Sequence, residues 1–171
     1  MWIDSASHAE RPASIDMWAK GRVDMLGTRY SHLIEKHSEE LAEGLVRKLQ
    51  SSERTEAYRA VPPDELKRNL REVYEHLGDW LSNKTESELQ ERYSQVGTRR
   101  AGQGVPLAQV VWALIVSKEH LWMFLEREAY ADTAIQLAGE LNFILTLEQF
   151  FDRAIYFTTA AYTGVKKEQA A

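Results

Sequence analysis

Apolar side chains recur along this chain at intervals of three and four residues and almost nowhere at sustained intervals of two, which is the period of helices rather than strands. From about Thr28 to Leu49 the stripe Tyr30, Leu33, Ile34, Leu41 and Leu45 predicts one helix. A polar loop, Ser51 to Pro63, follows and runs into Asp64-Glu65. Proline suits a first helical turn there, and the two acids suit the positive end of a helix dipole. Leu66, Leu70, Val73, Leu77 and Leu81 mark the next helix, which ends near Ser82-Asn83. Thr85-Glu86-Ser87-Glu88 has the spacing of a capping box and opens a helix running to about Arg100. A second box, Thr133-Ala134-Ile135-Gln136, opens the last, long helix, 133–163. Residues 1–13 read as a loose lead-in and Ser14–Lys20 as a short helix. The predicted fold class is all-α, a bundle of about five to six helices. In domain terms this is a lead-in over 1–20, one helical domain over 21–165 and a tail over 166–171.

Two of these helices carry more apolar surface than a single seam can use. In the helix over 106–130 the main stripe is Leu107, Val110, Val111, Leu114, Leu121, Trp122 and Leu125, while Trp112, Ile115, Val116, Met123 and Phe124 occupy its other sides. It is therefore expected to be central and packed from several directions. The last helix has one seam through Leu141, Ile144, Leu145, Phe151 and Ile155. A second runs through Phe143, Leu147, Phe150, Ala154, Phe157 and Ala161 at steps of four, three, four, three and four. That spacing fits packing on another helix of the same chain or on a second copy. The central helix covers only one seam, so the second is assigned to a two-fold homodimer interface, the usual closed oligomer.

Composition narrows the chemistry. The chain has 171 residues, 44% of them hydrophobic and 27% charged, as expected of one globular domain. A net charge of −5 argues against a nucleic-acid surface. With no cysteine in the sequence, disulfides, thiolate nucleophiles and cysteine-based metal sites are excluded. The longest uncharged run, Ala101 to Ser117, is interrupted by Gly102, Gly104 and Pro106 and is too short to span a bilayer. Without a basic-then-apolar leader, the expected compartment is the cytoplasm.

The stretch Gly97-Thr-Arg99-Arg100-Ala-Gly102-Gln-Gly104-Val-Pro106 invites comparison with a phosphate-binding loop. It has neither the G-x-G-x-x-G pattern after a strand nor a Gly-Lys-Ser/Thr sequence. Glycines that end a helix, arginines in its last turn and proline at the start of the next explain every unusual residue. Arg99, Arg100, Gly102, Gly104 and Pro106 are therefore read as an inter-helix hinge. The segment Arg99-Arg-Ala-Gly-Gln-Gly-Val-Pro-Leu107, followed by an apolar helix through Leu121-Trp122, resembles the N-terminal domain of RsbR-type stressosome regulators and of related bacterial sensor kinases. The resemblance covers about residues 25–163. It implies a globin-like helical fold without haem that dimerises and serves as a sensory or regulatory input to a stress response. The effector domain that usually follows is not in this sequence, which stops at Lys166-Lys-Glu-Gln-Ala-Ala171. A protein partner, or a longer parent chain, is expected to carry the output.

A globin-like fold raises the question of haem. His76 lies beside Asn69, Glu72 and Asp79 and His32 near Arg29 and Lys36, so both sit on wet faces, and His8 is in the lead-in. His37 falls on the stripe of Leu33, Ile34 and Leu41, and His120 lies among Val116, Ser117, Met123 and Phe124. His120 is the better candidate axial ligand, although a lone histidine on an apolar face is more often a hydrogen-bonded core residue. No Glu-x-x-His pattern of a di-iron bundle, no His-Glu-x-x-His and no Gly-x-Ser-x-Gly is present. Glu119 and His120 point about 100° apart on a helix and do not share a substrate. Tyr93, Trp112, Trp122 and Tyr130 are read as core rather than as a pocket. The apolar helix after the hinge has no side chains for base edges. The resulting expectation is a non-enzymatic signalling module with no cofactor, no nucleic acid and no membrane, acting as a homodimer on a protein partner. The alternative is a haem- or small-molecule-binding globin-type sensor that uses His120.

Overall fold

The computed structural model describes residues 29–128 and 134–170, and among them there is no strand. The helices are α1, described over 29–36, α2 (Ser38–Ser51), α3 (Pro63–Glu75), α4 (Leu77–Ser82), α5 (Glu86–Gly102), α6 (Leu107–Glu128) and α7 (Ala134–Ala170). A 3-10 segment, Glu53–Ala60, lies between α2 and α3. The fold class is all-α, as the period predicts. The lead-in, the Ser14–Lys20 helix, Tyr130 and the Thr133 capping box lie outside the described residues.

Two helices that the apolar stripes predict as continuous are each broken at a histidine. His37 separates α1 from α2 with φ −103° and ψ 15°, and His76 separates α3 from α4 with φ −123° and ψ 20°. At His76 the cause is local. Its ring Nδ1 donates to the Glu72 carbonyl at 2.9 Å, taking the acceptor that the backbone N–H of residue 76 would hold in an unbroken helix. The bend brings Gly78 against α1, where its N–H donates to Glu35 Oε1 at 3.3 Å. A stripe of leucines continues smoothly through such a break, so periodicity does not register it. The predicted loop 51–63 is likewise structured: Thr55 is fully buried and donates to the Leu49 carbonyl, and the Gln50 side chain donates to the carbonyls of Tyr58 and Val61.

The capping box is present as predicted. Thr85 Oγ1 accepts from the Glu88 N–H while the Glu88 carboxylate accepts from the Thr85 N–H. Packing then sorts the helices into two pairs, α2 with α3 and α5 with α7, and α6 touches members of both. α7 has 37 residues, about 55 Å of helix at the standard rise. It continues through most of the predicted tail. The most extensive pairing is α5 on α7, and it depends on Gly97. A Cβ on Gly97 would lie 2.2 Å from the Thr158 carbonyl oxygen, so only glycine permits this approach. Gly97 is therefore a helix-crossing residue, not part of the hinge in which its sequence neighbours belong. No helix among the described residues is long and apolar enough to cross a membrane.

Candidate functional site

The segment between α5 and α6 is a tight, anchored turn. The Gly104 N–H donates to the Ala101 carbonyl at 3.1 Å and the Val105 N–H to the Arg100 carbonyl at 3.1 Å. With φ of 71° at Gly104, this is the Schellman pattern that ends a helix on a left-handed glycine. The Pro106 carbonyl accepts the first bonds of α6, from Gln109 and Val110. Gly102 is the last residue of α5, and no atom lies within 4 Å of where its Cβ would be.

Arg99 and Arg100, equivalent in sequence, have different roles. Arg99 is exposed and has no ion pair among the described residues. Arg100 is buried, donates to Glu65 Oε1 at 2.9 Å and also to Gln103, and places its guanidinium 5.5 Å from the centre of the Tyr58 ring. Burial on its own would raise the Glu65 pKa, but hydrogen bonds from Arg100 and Gln103 outweigh it and hold the carboxyl below its ordinary value. Burial pushes the Tyr58 phenol up to about 12, partly offset by the Arg100 charge. On the other side, Tyr162 of α7 donates its hydroxyl to the Val105 carbonyl at 2.8 Å. The hinge is thus tied to α3, to the 3-10 segment and to α7. Thirty-five positions separate Glu65 from Arg100, and no local pattern in the sequence links them.

The structure packs most of the seam assigned to a dimer interface on α7 inside the chain. Phe143, Leu147, Phe150, Ala154 and Phe157 are buried within the chain, and Ala161 is half-buried. Phe150 meets Tyr93 of α5 edge to face at 5.7 Å, and Phe143 meets Tyr30 of α1 at 5.3 Å. The heptad-like seam is thus an intrachain seam, covered chiefly by α5 through the Gly97 crossing. The opposite face of α7 is open instead: Leu141 is 53% exposed, Leu145 60% and Tyr156 68%, with Ile144 and Ile155 half-buried beside them. α6 extends this face. Lys118 Nζ and Trp122 Nε1 both reach the Glu148 carboxylate of α7, at 2.6 and 2.9 Å. Ile115 and Val111, one and two turns before Lys118 on the same side of α6, are also half-buried. The hydrogen bond from Lys118, helped by that from Trp122, holds the Glu148 pKa down against its partial burial.

His120 bridges α6 to α2. Its Nε2 lies 3.1 Å from the Leu41 carbonyl oxygen, and its ring packs on Gly44, where a Cβ would sit 3.1 Å from Cε1. A carbonyl only accepts, so this nitrogen carries the proton. Burial, with the charges of Lys48 and Arg47, lowers the His120 pKa, and the bond to Leu41 opposes the shift. His37 is half-buried with its ring centre 5.4 Å from that of Phe124 and Nδ1 3.3 Å from Glu40. Among the described residues no three His, Asp or Glu side chains converge as a metal site would require. Of the aromatics read as core, Tyr93 is buried, whereas Trp112 and Trp122 are only half-buried.

What the arrangement provides is a set of cross-links between helices: Glu65–Arg100, Val105–Tyr162, Glu148 with Lys118 and Trp122, and Leu41–His120. Such links join helices that are far apart in sequence. No curated protein and no solved structure matches the chain. The family model described as the RsbT co-antagonist protein rsbRD N-terminal domain matches residues 39–171, most of the chain, and this chain belongs to that family.

Proposed function

We propose that this chain is a non-catalytic input module of a stressosome-type regulator, globin-like in its helix arrangement. It works as a homodimer in the cytoplasm and passes its state to a protein partner, with action on RsbT as the family description suggests. Membership of a co-antagonist family supports the regulatory role. The observation that supports dimerisation is the row Leu141, Leu145 and Tyr156, large side chains each more than half exposed on one face of a 37-residue helix. Buried apolar area is the main source of association energy, and a row of this kind is what a second copy covers in an isologous pair. The turn before α6 is bonded to α7 at Val105–Tyr162, and α6 itself at Glu148, so a displacement of α6 reaches the paired face through α7.

The reading assigns no cofactor. His120 is read instead as a bridge between α2 and α6, its Nε2–H donating to the Leu41 carbonyl. The test of dimerisation is sedimentation equilibrium of the purified chain beside Leu145→Glu and Tyr156→Glu. We expect a dimer that becomes a folded monomer in both variants. A wild-type monomer at tens of micromolar, or variants that remain dimeric, would overturn the interface. Titration with hemin tests the cofactor assignment: a sharp Soret band that disappears in His120→Ala would replace the bridge with an axial ligand.

A further inference from the structure

Between α2, the 3-10 segment, α3, α5, α6 and α7 lies a cavity of about 100 Å³ whose wall is predominantly apolar. Leu70 and Val73 come from α3, Tyr93 and Val96 from α5, Leu114 from α6 and Phe151 from α7. Tyr74 of α3 also lines it. The Tyr74 side chain is 2% exposed, and its hydroxyl is the one buried side-chain polar atom among the described residues that has no hydrogen-bond partner. Native folds rarely leave such a group orphaned, and each instance calls for an explanation.

Several other polar groups of the wall are already engaged. Ser117 Oγ donates to the Ala113 carbonyl at 2.7 Å, Arg92 donates to Glu72 and to the Asn69 carbonyl, and Arg100 pairs with Glu65. Arg99 belongs to the wall too but is exposed, which marks the side open to solvent. An anion finds no uncompensated cation in the interior, and burying a charge without one is costly. Burial raises the pKa of Tyr74 and of Tyr93 above the ordinary phenol value, so both remain neutral.

We propose that this cavity binds a small uncharged molecule with an apolar body and a single hydrogen-bond acceptor, which the Tyr74 hydroxyl donates to. A 150 Å³ apolar cavity accommodates benzene, so a cavity of about 100 Å³ suits a smaller body of about four or five carbon atoms. The wall is shared by five α-helices and the 3-10 segment and includes Arg100 of the hinge, so occupancy is felt where α5 turns into α6. A sensory role for that occupancy rests on the regulatory reading above. Binding itself does not.

Cyclopentanone and methylenecyclopentane are matched probes, the same ring with the acceptor oxygen replaced by CH2. Each is titrated by NMR into the wild-type chain, into Tyr74→Phe and into Ala113→Val, which narrows the cavity from α6. Both probes are expected to shift the amides of cavity-lining residues in the wild type. Tyr74→Phe should weaken cyclopentanone about tenfold, the value of one hydrogen bond, and leave methylenecyclopentane unchanged or tighter. Ala113→Val should weaken both. Removal of an orphaned hydroxyl should leave Tyr74→Phe folded and at least as stable as the wild type. Absence of shifts at the cavity up to millimolar probe, or equal effects of Tyr74→Phe on the two probes, would overturn the site. Neither result bears on the dimer, which sedimentation tests separately.

Discussion

Arg100 and Glu65 illustrate how a single contact gives meaning to a residue whose sequence context suggests something else. In the sequence Arg100 is one of two arginines in a last helical turn. In the fold its side chain is 6% exposed and paired with a Glu65 that is 20% exposed. Glu65→Gln leaves the guanidinium buried without its counter-charge, and about 3 kcal/mol of stability should be lost in urea unfolding. Because the folded-state pKa of Glu65 lies below the ordinary carboxyl value of 4.5, its contribution is complete above that value and is lost as pH falls through the folded one. The variant should lack that part of the acid transition. His120 titrates by the same rule at higher pH. Its folded pKa is lowered from 6.5, so the unfolded chain takes up its proton first, and stability should decline as pH drops below 6.5 towards the folded value. Thermal melts across this range should show a shallower decline for His120→Gln. Both the depressed carboxyl and the depressed imidazole depend on partners more than thirty residues away, and single-residue reading had no access to either.

At the scale of elements, three glycines within eight positions show where local sequence is sufficient. Gly104 has φ of 71°, a turn glycine in a place that the Gly-x-Gly-Val-Pro pattern already indicates. Gly102 is helical with open space around its Cβ position. Gly97 is inside α5 against the backbone of Thr158. Alanine should therefore have three different effects in urea unfolding. At Gly97 it should cost about 3 kcal/mol, because backbone has to move. At Gly104 it should cost about 1 kcal/mol for the left-handed conformation. At Gly102 it should be neutral or stabilising by up to about 1 kcal/mol. Equal effects at all three would remove the α5–α7 crossing argument. The capping box at Thr85, the proline start of α3 and the end of α5 were all legible, because each is decided within a few residues. The breaks at His37 and His76 were not, since an apolar stripe keeps its phase across a one-residue interruption.

At the scale of the molecule, the decisive event is the choice of which face of α7 turns inward. The sequence presents two apolar seams on that helix, and the regular one, through Phe143, Leu147, Phe150, Ala154 and Phe157, resembles an oligomer seam. The fold buries it on α5 and leaves Leu141, Leu145 and Tyr156 outside. If so, Phe150→Asp should unfold the chain in circular dichroism rather than dissociate it, unlike the Leu145→Glu and Tyr156→Glu pair. The sequence by itself determined the all-α class, most helix boundaries, the hinge and the family, because period, capping and turn chemistry act over a few residues, and the Arg-Arg-Ala-Gly-Gln-Gly-Val-Pro-Leu segment is contiguous. Only the tertiary structure decided which seam is interior, what Arg100 and His120 bond to, and that Tyr74 ends in a cavity without a partner. Each of those depends on helices far apart in sequence reaching the same place, and apolar attraction, being non-directional, does not specify in advance which pair will meet.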